Sequence, residues 1–243
     1  MINKHDCKIQ IGTTKLIHNI DMNQITKVAD NLATVVYNRR TDQSPLEALC
    51  KMKLKKLYSN LYQLKPSHLH RSKRWDALGS TWKWLAGSPD ADDLRIINSS
   101  LNSLVLENNK QYKMNEQINQ RIEKITEAIN QIISKTSNNK IIMEEIEIIK
   151  NILNINTING ILEDVQDAIT WSKTATTTSK MLSTREITTI KELLQDQDIE
   201  TQIPDEALQF TTPKIAVNGT VLLYILHIPL LQNTTSTVVE LSH

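Results

Sequence analysis

Residues 94–133, LRIINSSLNSLVLENNKQYKMNEQINQRIEKITEAINQII, carry the strongest periodic pattern in this 243-residue chain. Apolar side chains recur at alternating intervals of four and three residues, as at the a and d positions of a heptad repeat. The apolar a and d residues are Ile97, Leu101, Leu104, Ile118, Ile122, Ile125, Ile129 and Ile132. Between them Asn108, Gln111 and Asn115 form a polar patch that can fix the register or let the helix break. Isoleucine at both positions favours three or four strands, so the pattern predicts an oligomeric coiled coil; an amphipathic helix packed within one chain is the alternative.

The composition of the chain excludes several classes of protein. Lys and Arg total 28 against 27 Asp and Glu, and this balance argues against a surface built to bind nucleic acid. Only 5 glycines and 2 cysteines occur, which excludes a Gly-rich nucleotide-binding enzyme and a disulfide-dense miniprotein. Because aromatic residues make up 4% of the chain, the core must consist mostly of aliphatic side chains.

No segment of this sequence has the pattern of a signal peptide or a membrane span. The N-terminal residues MINKHDCKIQIG contain no apolar run of signal-peptide length, and the most apolar segment, 221–231, is about half the length that crosses a bilayer. Cys7 and Cys50 can form one disulfide in an oxidising compartment or remain two buried thiols in the cytosol. Without a nearby His pair, their spacing does not indicate a zinc site.

Outside the heptad region the sequence predicts helices with a small β component. Residues 7–22 alternate apolar and polar around Gly12 and Thr13, which predicts a hairpin. Ser44 and Pro45 suit the cap and the first turn of a helix. Further predicted elements are helices at 24–39, 140–171 and 184–196, and a strand within 214–230 that ends at Pro229.

The helix predicted at 140–171 has two apolar stripes. One stripe contains Ile142, Ile146, Ile149 and Leu153, and the other contains Ile148, Ile152, Ile155, Leu162 and Ile169. Two stripes indicate burial on more than one side, or a packed helical hairpin.

A basic stretch precedes a group of tryptophans. From Lys51 to Arg74 there are eight Lys or Arg and no acidic residue, which on its own indicates a solvated helix face followed by a loop. The tetrapeptide Arg71, Ser72, Lys73 and Arg74 has the Arg-x-Lys-Arg form that furin-type convertases of the secretory pathway cleave. It follows a loop with Pro and His residues, where exposed backbone is cleavable, so the sequence predicts a cut after Arg74.

The segment 75–93, WDALGSTWKWLAGSPDADD, begins directly after that motif. Its large apolar residues recur at helical spacing, and indole rings suit the membrane interface because they have one apolar and one polar end. A core helix anchored by tryptophans is the alternative. The adjoining cleavage motif would place the segment at a new N-terminus, which favours membrane insertion. The residues expected to insert are Trp75, Leu78, Gly79, Trp82, Trp84 and Leu85.

No set of residues in the sequence has the spacing of a catalytic or metal site. A Gly-rich phosphate loop is absent, and the histidines have no ligand spacing except His68-x-His70 in the basic loop. Asp90, Asp92 and Asp93 fit the acidic start of the long helix better than a metal loop. The sequence therefore predicts a protein that is not an enzyme and has neither cofactor nor metal.

Glycosylation acceptors of the Asn-x-Ser/Thr form occur at Asn98, Asn218 and Asn233. They are usable only if the chain enters the secretory pathway. Because Asn and Thr are abundant here, three matches are little above chance.

The order of a basic tetrapeptide, a Trp-rich segment, an acidic turn and Ile heptads is similar to that of a known family. The stretch 71–98, RSKRWDALGSTWKWLAGSPDADDLRIIN, resembles the cleavage site and fusion-peptide region of insect errantivirus envelope proteins. These are the envelope products of gypsy-type retrotransposons and are related to baculovirus F proteins. IGTTKLIHNIDM looks like the start of the mature surface subunit, and LLYILHIPLL looks like a strand near the middle of the transmembrane subunit.

This resemblance implies a class I viral fusion protein. Its fold would be mainly α, with long helices around a trimeric coiled-coil type core and a small β component. As an envelope glycoprotein it would be activated by cleavage after Arg74, insert residues 75–87 into a membrane, and refold through its coiled coil. The implied partners are the target-cell membrane, further copies of the chain in a homotrimer, a host convertase and a cell-surface receptor, with no nucleic acid.

The expected organisation has five parts. They are a surface-subunit-like region (1–74), a fusion-peptide-like segment (75–93), a heptad-repeat helix (94–136), a helical region (140–196) and an irregular or β segment (197–243). The family's proteins lie in the virion, the host membrane or the secretory pathway. This chain lacks their signal peptide, second heptad region and membrane anchor, and no cysteine follows Arg74, so we expect an ectodomain fragment or a truncated copy. The alternative function is a soluble helical interaction module derived from a non-fusogenic copy.

Overall fold

The computed structural model describes residues 2–38, 44–64, 83–88, 90, 93, 110–113, 123–124, 127–128, 130–131 and 140–241. Within these ranges the chain forms five strands, four α-helices and two short 3-10 helices, and residues 93, 123–124, 127–128 and 130–131 are also helical. The strands are β1 (Ile2–Asp21), β2 (Lys83–Ala86), β3 (Lys110–Lys113), β4 (Thr212–Asn218) and β5 (Val221–Leu241). The α-helices are α1 (Met22–Tyr37), α2 (Pro45–Gln63), α3 (Lys140–Ser172) and α4 (Thr184–Gln195). The 3-10 helices are Ser179–Met181 and Pro204–Phe210.

The five strands form one sheet in the order β2-β4-β5-β1-β3. All neighbouring strands are antiparallel except β3, which runs parallel to β1. β1 and β5 pair along their whole length, from Ile2 opposite Leu241 to Asp21 opposite Val221. Strands from opposite ends of the sequence therefore lie side by side at the centre of the sheet.

The helices pack against one face of the sheet and form the main core with it. Leu16 of β1 and Leu226 of β5 belong to the same buried cluster as Ile155 and Leu162 of α3. α2 lies along α3, where Asn60 Nδ2 donates to Asn159 Oδ1 at 3.0 Å. Because strand side chains alternate between faces, the same two strands also line the opposite face of the sheet.

The opposite face has a smaller core of its own. Ile17 of β1, Ala216 of β4, and Leu223 and Ile225 of β5 are buried there, and Trp84 of β2 packs against them. This second core positions the candidate site described below.

The predicted fold class, mainly α with a trimeric coiled-coil type core like that of a class I viral fusion protein, is wrong. A five-stranded sheet lies at the centre of the described structure. The strand β3 also lies inside the predicted continuous helix 94–136, at the polar patch that contains Gln111. Since the patch has no apolar a or d residues, nothing in it favours a helical contact over pairing with β1. The eight heptad residues themselves, from Ile97 to Ile132, lie outside the described residues.

The predicted hairpin at residues 7–22 is also wrong. β1 continues through Gly12 and Thr13 and pairs with β5 instead of folding back on itself. The pairing register shifts between Lys8 and Gln10 and again between Gln10 and Gly12. The alternation that predicts two strands therefore belongs to one strand with bulges, whose partner lies far away in the sequence.

The predicted single strand at 214–230 is two strands, and Pro229 does not end the second one. Asn218 lies opposite Val221, so Gly219 and Thr220 form a two-residue turn, with Gly219 at φ +55°. The pairing of β4 with β5 stops at Thr212 opposite His227. Pro229 lies beyond this point, so its lack of a backbone N–H costs no hydrogen bond to β4. Beyond the end of β4, the Gln197 side chain makes the hydrogen bonds to β5 that a neighbouring strand would make. Its Nε2 donates to Pro229 O at 3.0 Å, and its Oε1 accepts from Leu231 N at 2.6 Å.

The predicted helices outside the heptad region are confirmed within a few residues. Ser44 caps α2 by accepting a hydrogen bond from Leu46 N, and Ser183 with Glu186 forms a capping box at the start of α4. Of the two apolar stripes on α3, the second is buried, with Ile155 and Leu162 both fully inaccessible. The first stripe is exposed at Ile142, Ile149 and Leu153.

Candidate functional site

Part of the predicted fusion segment is docked on the sheet. β2 pairs antiparallel with the edge of β4, with Trp84 opposite Ala216 and Ala86 opposite Ile215. Trp84 is half-buried on the smaller core, and Leu85 packs against the main core on the other face. The alternation of a strand, and not the period of a helix, therefore sets where these two side chains point.

Gly87 lets the chain leave β2 close to the sheet. Its φ of +73° lies in the left-handed region, and a Cβ there would come within 2.6 Å of Lys214 Cγ. The aliphatic stem of Lys214 therefore lies directly under the glycine, while its ammonium group extends to the carboxylates that follow in the chain.

We expect Gly87→Ala to lower the free energy of unfolding by about 2 kcal/mol, because it adds left-handed strain and displaces the Lys214 stem. Gly160→Ala in α3 is the matched control, since a Cβ there meets nothing within 4 Å. The control should stabilise the protein by up to about 1 kcal/mol through helix propensity. Urea unfolding of both variants measures the difference, and equal effects of the same sign would contradict this account of Gly87.

Asp90 and Asp93 hold the turn after Gly87 through reciprocal hydrogen bonds. Asp93 N donates to Asp90 Oδ1 at 2.7 Å, and Asp90 N donates to Asp93 Oδ2 at 3.0 Å. This is the geometry of a capping box, with Asp93 already in helical conformation. Of the acidic helix start predicted here, Asp93 is helical, and residues 91–92 and 94–109 lie outside the described residues.

Three basic side chains of the sheet surround the Asp93 carboxylate. Lys15 Nζ of β1 is 2.8 Å from Asp93 Oδ1, and Lys214 Nζ of β4 is 2.7 Å from Oδ2. His227 Nε2 of β5 is 3.0 Å from Oδ1. Asp93 is fully buried, and Lys15 is 4% exposed. We refer to Lys15, Asp90, Asp93, Lys214 and His227 as the charge cluster.

The charge cluster is balanced without a further ion. Asp90 also accepts from Lys15 at 2.9 Å and from Lys214 at 3.3 Å, so two ammonium groups face two carboxylates. Burial alone would raise the pKa of Asp93, but hydrogen bonds from His227, Lys15 and Lys214 hold it far below its usual range. For Asp90, burial likewise acts to raise the pKa, yet the hydrogen bond from Lys15 leaves it lowered. Both carboxylates therefore stay ionised well into the acidic range.

The same cluster contains the one described group of ligand atoms close enough to hold a metal. One ligand atom from each of Asp90, Asp93 and His227 lies within 4.8 Å of the others. Lys15 and Lys214 contact the same carboxylate oxygens, so a cation would have to displace two ammonium groups from a buried position. The residues present do not fit a metal site.

A second buried polar group lies on the helix-facing side of the sheet. His18 Nε2 of β1 is 3.0 Å from Glu186 Oε1 of α4, and both side chains are fully buried. Tyr224 of β5 lies beside the imidazole, with ring centroids 6.0 Å apart. Sequence reasoning did not identify this pair, although the Ser-x-x-Glu pattern at 183–186 marks Glu186 as a capping residue with a fixed position.

Most of the predicted site residues lie outside the described residues. These are the eight heptad residues, Arg71, Ser72, Lys73 and Arg74 of the cleavage motif, Trp75, Leu78, Gly79 and Trp82 of the insertion segment, and Asn98. Asn218 ends β4 and is half-buried, and Asn233 belongs to the backbone of β5. For Trp84 and Leu85 the structure shows contacts within the protein, and their membrane insertion stays a prediction.

For Cys7 and Cys50 the sequence leaves two alternatives open, one disulfide or two thiols, and in this structure the two residues are not bonded to each other. Both described cysteines are thiols, with Cys7 half-buried on β1 and Cys50 buried in α2. Cys50 belongs to the main core, where a small apolar side chain fits the packing between helices.

A model of the Gypsy protein family matches residues 1–242 of the chain. No curated protein and no solved structure matches it. Among the described residues, no helix has both the length and the apolar character needed to cross a membrane. The family match supports an origin as an envelope glycoprotein of a retrotransposon, a kind of protein found with virions or membranes, and the family is not one of enzymes. Because the match covers nearly every residue, the chain belongs to the Gypsy protein family.

Proposed function

We propose that the chain is an envelope fusion protein in its inactive state, in which cleavage after Arg74 frees residues 75–87 for insertion into a target membrane. The observation that carries this proposal is the docking of the segment's C-terminal part. β2 holds it on the edge of β4, and Asp93 anchors it in the charge cluster. A segment held at one end and cut at the other can be stored and then released.

The environment of Trp84 supports a stored rather than a permanent position. Its indole Nε1 is buried and has no hydrogen-bond partner among the described residues. A buried N–H without an acceptor costs about 1–3 kcal/mol, a cost that the membrane interface removes because water reaches the polar edge of the ring. β2 is also only four residues long and lies at the sheet edge, so few hydrogen bonds oppose its release.

The partners of this function are a host convertase, a target membrane and a receptor on the target cell. The convertase would recognise Arg71, Lys73 and Arg74. The tryptophan side chains would insert into the membrane. Burial of each one there would strengthen membrane binding at least about tenfold.

The full chain, expressed behind a secretion signal in cells that contain convertases, tests the proposal. The wild type should be cut after Arg74, whereas Arg71→Ala/Arg74→Ala should stay intact. After cutting, the wild type should float with zwitterionic vesicles, and Trp82→Ala should bind about tenfold more weakly. Trp171→Ala is the matched control, because Trp171 lies in α3 and is 51% exposed.

Two results would overturn the proposal. One is a secreted chain that stays uncut, and the other is a cut chain that leaves vesicles unbound. Either result would favour the soluble interaction module from a non-fusogenic copy.

A further inference from the structure

The cleavage motif divides the chain between elements that pack together. Residues 1–74 contain β1, α1 and α2, and residues 75–243 contain the other described strands and helices. β1 lies between β5 and β3, so it is an interior strand of a sheet whose other four strands all belong to the second piece. A cut at residue 74 therefore severs the chain and leaves the sheet whole.

Contacts between the two pieces run along the whole of β1. Its pairing with β5 extends from Ile2 to Asp21, and four of these residues also pair with β3 on the other side. Leu16 and Ile20 fill the main core, while Ile17 fills the smaller one. An extended strand bound in this way gains affinity from main-chain hydrogen bonds and specificity from alternate side chains that enter pockets.

Buried charges also join the two pieces. Lys15 of the first piece binds Asp93 of the second, and His18 of the first binds Glu186 of the second. In both pairs the two side chains are at most 4% exposed. Removing β1 would leave Asp93 and Glu186 each without one buried partner, which opposes separation of the pieces.

The helices add a third set of contacts between the pieces. α2 lies along α3, with Asn60 bonded to Asn159 and Lys56 Nζ 2.7 Å from Glu163 Oε1. Leu54, Leu57 and Leu61 of α2 are buried in the main core. The first piece is thus held by a strand and by a helix.

No covalent bond within this chain can replace these contacts. Both cysteines precede Arg74, so a disulfide between residues 1–74 and residues 75–243 has no second partner. We propose that, once the chain is cut after Arg74, residues 1–74 stay bound to residues 75–243 as a non-covalent subunit, inserted through β1 as a donated strand. This inference rests on the proposed cleavage, but the binding itself requires only that the backbone is cut.

The test uses the full chain with a site-specific protease sequence in place of residues 71–74 and an affinity tag after His243. After cutting, the tagged piece is captured, washed in native buffer with and without reductant, and assayed over time for residues 1–74. This cut does not depend on a convertase or a membrane, so failure here and failure of the proposed function are distinguishable. We expect both pieces to stay together, with or without reductant, and to separate in concentrated urea.

Two matched variants of β1 test whether its buried side chains hold residues 1–74 on the rest of the protein. Ile20 is fully buried, whereas Ile9 on the same strand is 50% exposed. Ile20→Ala should make the first piece leave about 100-fold faster, and Ile9→Ala should change its release by less than about threefold.

The proposal is overturned if residues 1–74 wash off the wild type in native buffer, or if the two variants release the piece at the same rate. Should Ile20→Ala fail to fold, retention by the wild type still decides the question.

Discussion

Replacing Glu186 with leucine should lower the free energy of unfolding by about 4 kcal/mol at pH 7. The change leaves His18 buried without its carboxylate and removes the acceptor that receives a hydrogen bond from Ser183 N at 2.6 Å. Removing a buried carboxylate from its partner costs about 3–5 kcal/mol, and loss of a capping contact adds to it. Urea unfolding at pH 7 measures the loss.

The conservative variant Glu186→Gln separates charge from shape. Glutamine keeps the reach to Ser183 N, so we expect a smaller loss of about 2 kcal/mol. Burial acts to raise the pKa of Glu186, but the hydrogen bond from His18 leaves it below the ordinary value of 4.5. A lowered pKa in the folded state stabilises the protein above the unfolded-state pKa, and this contribution is lost as the pH falls. The difference between wild type and Glu186→Gln should therefore shrink below about pH 4.5. A difference that grows on acidification would contradict an ionised Glu186.

Leu162→Ala should lower the free energy of unfolding by about 3 kcal/mol. Leu162 is fully buried in the main core, where α3 meets the sheet and the other helices. The cost combines lost burial of the leucine side chain with the cavity that remains in packed surroundings. The urea midpoint, with an unchanged slope, reports this loss.

Leu153→Ala on the same helix is the matched control. Leu153 belongs to the exposed stripe of α3 and is 40% accessible, so its loss should stay below about 1 kcal/mol. Equal losses at the two positions would mean that α3 buries both stripes, as in a helix covered on two sides.

The helices could be predicted because their signals are local. Ser44 and Pro45 mark the start of α2 within the sequence that forms it, and the stripes of α3 repeat every turn. The strands could not be placed in the same way. The alternation in residues 7–22 correctly indicates a strand, but its partner strand β5 lies about 200 residues away, and no local pattern points to a partner at that distance.

One local signal for the sheet was present in the sequence. Asn218-Gly219 between two apolar runs is a strong hairpin pattern, and it forms the turn from β4 to β5. The same residues also fit a glycosylation acceptor, so one short pattern is consistent with two different roles.

The candidate site was visible only in part. Gly87, Asp90 and Asp93 stand out in the sequence because they lie beside the tryptophans. Nothing in the sequence marks the three basic members of the charge cluster, Lys15, Lys214 and His227, because a basic residue within a strand usually faces water. Only the order of β1, β5 and β4 in the sheet brings the three basic side chains to one carboxylate.

The pairing of β1 with β5 also fixes when the protein can fold. Among the described elements β1 leaves the ribosome first and its partner β5 leaves last. At a synthesis rate of about 5–20 residues per second, roughly 10–40 s pass between the synthesis of β1 and that of the residues it pairs with. During that time an incomplete chain exposes a long unpaired strand with apolar side chains among its polar ones, and unpaired strands of this kind are prone to aggregate. The centre of this sheet therefore cannot form until β5 has been synthesised.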